Sequence, residues 1–294
     1  MRIEEFTKPA GAVAVGEPPS ELTAPAAPAW DLPLYHFSAS SLQMLEICPE
    51  QWRQRYILGR KEPPAQALLL GRVTHGGIEF GLDLKALTGD DPHLGEMLDH
   101  YHDQVWPSAV DEYGGKDGVI WDDDPEAVRK QGAGMVSAYH PTISRLEPEA
   151  VEQEFTLDLG LQVPVIGFID LIQRHGRPAI DLKTTSKRQS SLKPDWRVQA
   201  RVYQLAHPGP VDFHVITKAK YPAVVTGLDE EGLIERYHEG HALQMRRRIG
   251  QALSAAEHFW KTYGPGETWP TRGIHHDWRC KWCAWQSICP EWAE

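Results

Sequence analysis

The spacing of apolar residues changes period along the chain and divides it. Residues 1–34 carry six prolines and seven alanines with no sustained period, which predicts a disordered tail. From Phe37 the pattern becomes helical. Ser38 or Ser40 caps a short helix bearing Leu42 and Leu45, and Pro49 opens another with Trp52 and Tyr56 that stops at Gly59. A further helix is expected over 71–87 on Val73, Ile78 and Leu82, weakened by Gly76, Gly77 and Gly81. Asp124-Pro125 signals the start of a helix reaching Leu146. The period then shortens: 151–159, 163–173 and 178–184 read as consecutive strands, with turns at Gly160 and His175-Gly176. A helix over 194–206 turns Trp196, Ala200, Tyr203 and Leu205 inward; strands at 211–217 and 223–226 follow, then a long helix over 233–260 and a Trp-rich tail. This order predicts an α/β core with a helical insertion. The implied segments are a tail (1–34), a helical region (35–150), a core (151–227), and a long helix with the C-terminal region (228–294).

Charge modifies this picture. The net charge of −11 argues against a nucleic-acid partner until its distribution is considered. Residues 90–126 hold twelve acids and one base, Lys116, whereas 172–220 hold ten Lys/Arg against Asp181, Asp195 and Asp212. For most individual residues in both blocks, solvated surface charge is the alternative reading. No apolar run reaches the ~18 residues of a membrane span, and the N-terminus lacks the order of a secretory signal. Four cysteines, three of them within the last fifteen residues, favour a cytosolic metal site over a disulfide framework, and with it a cytoplasmic location.

The candidate chemistry lies in four elements: Gly71-Arg-Val-Thr-His75, Gly167-Phe-Ile-Asp170, Asp181-Leu-Lys183 and Gln199-Ala-Arg-Val-Tyr203. Asp181 and Lys183, two apart on a strand, point to one face. Burying Asp170, Asp181 and Lys183 together is costly unless they bind a cation or pair. Mg²⁺ or Mn²⁺ held by Asp170, Asp181 and the carbonyl of Leu182 satisfies them, with Lys183 orienting or deprotonating a water for attack on a phosphodiester. Glu79, Glu152 and Glu154 are secondary candidates, Glu154 being singled out as a possible aid to the metal. On the helix of Gln199 and Tyr203, Arg197 and Arg201 are expected to meet phosphates and Trp196 to stack on an unpaired base. Arg246, Arg247 and Arg248 form a second possible phosphate rail.

These elements resemble the PD-(D/E)xK nuclease superfamily in its RecB-like branch. The resemblance runs over about residues 37–294. It places His75 at the branch's metal-site histidine, Asp170 and Asp181 at its carboxylates, Lys183 at its lysine, and Gln199 and Tyr203 at its Gln-x-x-x-Tyr helix. Ile169 stands where the superfamily pattern has proline. The resemblance implies a restriction-endonuclease-like fold, a mixed sheet flanked by helices with a cluster-binding C-terminal region. It also implies a DNA exonuclease acting on single strands or ends, and a helicase, recombination or CRISPR-adaptation partner protein. A nuclease-fold scaffold subunit with a silent site is the competing class.

Cys48 stands alone, whereas Cys280, Cys283 and Cys289 form C-x₂-C-x₅-C; Cys48 and Cys289 each precede proline. Four thiolates fit a [4Fe–4S] cluster or a Cys₄ zinc site. Zinc usually draws on two close pairs, and members of the RecB-like branch carry this one-plus-three arrangement around a [4Fe–4S] cluster. Trp278, Trp282, Trp285 and Trp292 are positioned to shield it, or simply to pack the tail. A zinc-ribbon nucleic-acid-binding protein is a further alternative, which the remote Cys48 disfavours.

Overall fold

The computed structural model describes residues 32–272, 280 and 283–292. Of the tail expected over 1–34, residues 1–31 lie outside the described residues, as do Trp278 and Trp282; Leu32 and Leu34 are instead buried beside Phe37, so order begins before the predicted boundary. Ser38 caps α1 (Ala39–Ile47) by accepting from the Ser41 amide. Pro49 opens α2 (Pro49–Trp52), which continues as a π-helical turn to Ile57. Helix α3 (Gln66–Thr88) begins five residues before the predicted start, because Leu69 and Leu70 extend its buried stripe. The acidic segment then folds into α4 (Leu94–His100) and α5 (Trp106–Glu112), joined by a π-helical turn over Tyr101–Val105. Asp124 caps α6 (Pro125–Ile143) by accepting from the Ala127 amide.

The sheet follows: β1 (Pro148–Leu157), β2 (Val165–Gln173), β3 (Ala179–Thr185), the crossover helix α7 (Pro194–Ala206), β4 (Val211–Thr217), β5 (Val224–Val225) and β6 (Ile234–Glu235). Its order is β1-β2-β3-β4-β5, with β6 also pairing with β4. The β3–β4 pair is parallel and the others are antiparallel, which makes the sheet mixed. Helix α8 (Glu239–Tyr263) starts later than the pattern predicts: 231–235 form a 3₁₀ turn and β6, and His238 provides the cap.

Three cores place the site. Val73, Tyr139, Leu171, Ile180, Leu182 and Ile216 bury one face of the sheet under α3 and α6. Trp196, Ala200, Tyr203, Phe213 and Val215 join α7 to the other face. Phe37, Trp52, Val202, Leu253 and Trp269 bring α1, α2, α7 and α8 together. The glycines of α3 allow close packing: a Cβ at Gly77 would stand 2.7 Å from Val136 of α6, and one at Gly81 2.7 Å from Met97 of α4. Among the described residues no helix is long and apolar enough to cross a membrane.

Candidate active site and a four-cysteine cavity

On β3, Ile180 and Leu182 enter the core under α3, so alternation turns Asp181 and Lys183 toward α7. The strands β2 and β3 pair directly only at Leu171↔Ile180. Beside that pair, Asp170 Oδ2 accepts from the Leu182 amide at 2.6 Å, a side chain taking the place of a ladder partner. Across the gap, Lys183 Nζ lies 2.5 Å from Asp181 Oδ2 and donates to Gln199 Oε1 at 2.9 Å. Gln199 Nε2 donates to Tyr203 Oη at 2.6 Å, and Tyr203 donates to Asp181 Oδ1 at 3.2 Å. The ring of Phe155 packs edge-on against Tyr203 at 6.0 Å. Gly167 makes room for that ring, since a Cβ there would come within 2.5 Å of it.

His75 arrives from the other side. Helix α3 approaches β3 closely at Gly71, where a Cβ would meet Thr184 Oγ1 at 3.0 Å. One turn on, His75 Nδ1 lies 3.9 Å from Asp170 Oδ2. The structure thus brings His75, Asp170, Asp181, Lys183, Gln199 and Tyr203 into one cluster.

Of the secondary candidates, the structure brings Glu152 and Glu79 to the site, and Glu154 takes the alternative to aiding the metal, a surface role. Glu152 stands opposite Asp170, between the pairs Val151↔Leu171 and Gln153↔Ile169. Its φ of +46° breaks the alternation of β1. Its carboxyl hydrogen-bonds to Glu79 and Asp170, whereas Glu154 is exposed. A left-handed residue inside a strand leaves no mark in the hydropathy pattern, so the difference between two glutamates was not legible.

Burial dominates the electrostatics. It pushes Asp181 up to about 6, opposed by Lys183 and assisted by Asp170. Burial pushes Asp170 to about 7, with Lys183 opposing and Glu152 assisting. Glu79 rises to about 7 and Glu152 to about 8, burial again being the main cause. His75 falls to about 4 through burial and the adjacent Lys183 charge, which keeps its imidazole neutral and able to ligate. Asp181 Oδ2 is buried in this ion pair yet makes no hydrogen bond. A buried carboxylate oxygen balanced only by Lys183, with the Asp170, Glu79 and Glu152 carboxyls close by, fits a hard divalent cation.

Trp196, expected to stack on a base, is 6% exposed and stacked on Phe213 at 5.5 Å, with Lys193 Nζ 4.8 Å from its ring. Arg197 and Arg201 both pair with the buried Glu235, at 3.2 and 2.9 Å. Arg246 donates to the Leu159 carbonyl and Arg248 pairs with Glu46. These side chains hold α7 and α8 in place, and that use draws on their charges.

Cys48, Cys280, Cys283 and Cys289 line one cavity of about 50 Å³, together with Gln51, Thr271 and Arg272. Burial pushes the Cys48 and Cys283 thiols up, and each also feels the charge of Cys289. Among the described residues no group of three or more His, Cys, Asp or Glu stands arranged to hold a metal as it is. Four thiols facing one cavity are nonetheless the donor set of a four-thiolate centre.

The profile of the PD-(D/E)XK nuclease superfamily matches residues 36–290, and the chain belongs to that superfamily. It is a nuclease with the mixed α/β fold of that group. Among solved structures it is similar to a candidate exonuclease from Eubacterium rectale, with a TM-score of 0.50 and 13% identity over 82% of this chain and 86% of that one. SSO0001 gives a TM-score of 0.36 at 12% identity over 87% of this chain and 96% of its own, too low to bear on the fold. No curated protein matches significantly.

Proposed function

We propose that this nuclease hydrolyses DNA phosphodiesters with Mg²⁺ or Mn²⁺, as an exonuclease on single strands or DNA ends, and carries a [4Fe–4S] cluster on Cys48, Cys280, Cys283 and Cys289. The observation behind the first part is the buried Asp181 oxygen, without a hydrogen bond, between Lys183 and Asp170. Asp170, Asp181, His75 and the Leu182 carbonyl would hold the ion, with the Glu79 and Glu152 carboxyls hydrogen-bonded behind Asp170. Bound there, a divalent ion supplies Lewis acidity at the phosphoryl oxygen and makes water a better nucleophile. The chain's own residues do the positioning. Gln199 and Asp181 fix the Lys183 ammonium, which orients the attacking water and offsets phosphate charge. Tyr203 and the Leu182 amide hold Asp181 and Asp170 in place.

Digestion of 5′- and 3′-labelled linear DNA and of circular DNA, with Mg²⁺, Mn²⁺ or chelator, tests the activity. Metal-dependent loss of the linear substrate alone is expected. Cutting of circles would overturn the exonuclease assignment, and absence of metal-dependent hydrolysis would overturn the reading as a whole. For the cysteine cavity, anaerobic preparations should contain about four irons per chain. Stoichiometric zinc without iron would replace the cluster by a zinc site.

A further inference from the structure

Three cations without an ion pair among the described residues, Lys218, Lys220 and Lys130, gather around the end of β4 and the neighbouring face of α6. Lys218 follows β4 directly. Its amide donates to the Thr185 carbonyl at 2.7 Å and its ammonium to the Ala67 carbonyl, at the start of α3, at 2.8 Å. Its charge reaches His75 and helps hold that imidazole neutral. Two residues on, Lys220 is exposed in the β4–β5 turn, 5.5 Å from the ring of Tyr221, which is itself 81% exposed. Lys220 and Lys130 of α6 line a groove of about 430 Å³ with Gln131, Gly134 and Asp123.

Several other cations are matched by acids, as in Lys85–Asp91, Arg188–Glu230 and Lys261–Glu257. Here none of Lys130, Lys218 and Lys220 forms an ion pair among the described residues, although the acidic segment passes close by. The reason is local. Asp123 accepts from Gln66 Nε2 at 2.8 Å and Asp124 caps α6, so these carboxylates are used at helix starts. What results is a basic track with an aromatic at its end, leading to His75.

We propose that single-stranded DNA reaches the active site across the β4–β5 turn, with Lys218, Lys220 and Lys130 contacting phosphates and Tyr221 stacking on an unpaired base. The proposal rests on the nuclease reading above and adds the path of the strand. A tyrosine ring face gains a stacking partner from an unpaired base and none from the interior of a duplex, which selects the single strand. The acidic segment borders the track and repels strands that approach over α4 and α5.

The test is binding of a fluorescein-labelled oligothymidylate in Ca²⁺, across a salt series, alongside a duplex of equal length. The pair Lys130→Ala/Lys220→Ala, both at exposed positions, should weaken binding about 25-fold at about 0.1 M salt and flatten the log–log salt slope by about 1.4. Tyr221→Ala should weaken single-strand binding about fivefold or more with the slope unchanged. A double-lysine variant with wild-type affinity and slope overturns the track, even where the wild type degrades DNA with Mg²⁺. Equal losses on duplex and single strand for Tyr221→Ala overturn the single-strand assignment. Wild-type protein that neither binds nor degrades DNA removes the nuclease reading itself, a result distinct from the other two.

Discussion

Within the candidate site, each side chain has a partner that explains its position and a substitution that exposes its role. Asp181→Ala removes the carboxylate that faces Lys183 and accepts from Tyr203, and Lys183→Ala leaves Asp181 and Gln199 unmatched. Each should slow hydrolysis by two to three orders of magnitude, about 3–4 kcal/mol of barrier, with oligonucleotide binding in Ca²⁺ retained. Single-turnover rates check this; full activity in either variant would remove the pocket from the mechanism. Glu152→Gln should cost about 10- to 100-fold in rate or metal affinity, because its carboxyl contacts Asp170 and Glu79, and Glu154→Gln should be neutral. Asp181 and Lys183 were legible from spacing alone, since residues two apart on β3 share a face, whereas His75, Gln199 and Tyr203 were legible through the family resemblance. Glu152 was not, since its contact depends on a backbone reversal. Trp196 was misread as a base platform because helical periodicity and stacking call for the same residue type.

At the level of elements, glycines that weaken α3 as an isolated helix decide how it packs. Gly77→Ala would press a methyl group onto Val136, 2.7 Å away, and Tyr101, 3.1 Å away. The variant should lose about 1–3 kcal/mol of stability despite the gain in helix propensity, measurable by urea denaturation. A stabilised variant would mean that α6 yields. The same tension explains which elements could be read in advance. The strands of the core and α7 carry period and turn signals together. Leu233, Ile234 and Glu235 fall inside the stretch that the pattern assigns to the start of α8, yet Ile234 and Glu235 pair with β4, and Glu235 is held there by Arg197 and Arg201. That ion-pair network links residues far apart in sequence, so no local pattern announces it. Helices α4 and α5 were likewise masked by their acidic composition, although Met97, Leu98, Tyr101, Val105 and Ala109 recur at helical spacing.

For the molecule as a whole, the two ends of the described chain are joined by a buried polar clasp beside the cysteine cavity. Glu50 accepts from Arg53 at 2.8 and 2.7 Å, from Gln54 at 2.5 Å and from the Trp269 amide at 2.8 Å. Its own amide donates to the Pro270 carbonyl, and Arg53 donates to that of Pro265. Glu50 lies two residues from Cys48; the clasp sets Thr271 and Arg272 in the wall of the cavity, and the Arg272 backbone hydrogen-bonds the Cys48 thiol. Glu50 and Arg53 therefore tie the start of α2 to the 265–270 segment. Burial alone would raise the Glu50 pKa, but the hydrogen bonds from Arg53, Gln54 and the Trp269 amide hold it below its ordinary 4.5. A carboxylate with a depressed folded pKa stabilises the fold fully above its unfolded pKa and loses that contribution as pH falls through the folded one. Glu50→Gln should then cost about 1–3 kcal/mol at neutral pH. The gap from wild type should narrow as the pH drops below about 4.5. Urea denaturation from neutral to acidic pH measures both quantities, and a gap that stays constant through the acid range would show that Glu50 acts by shape rather than by charge.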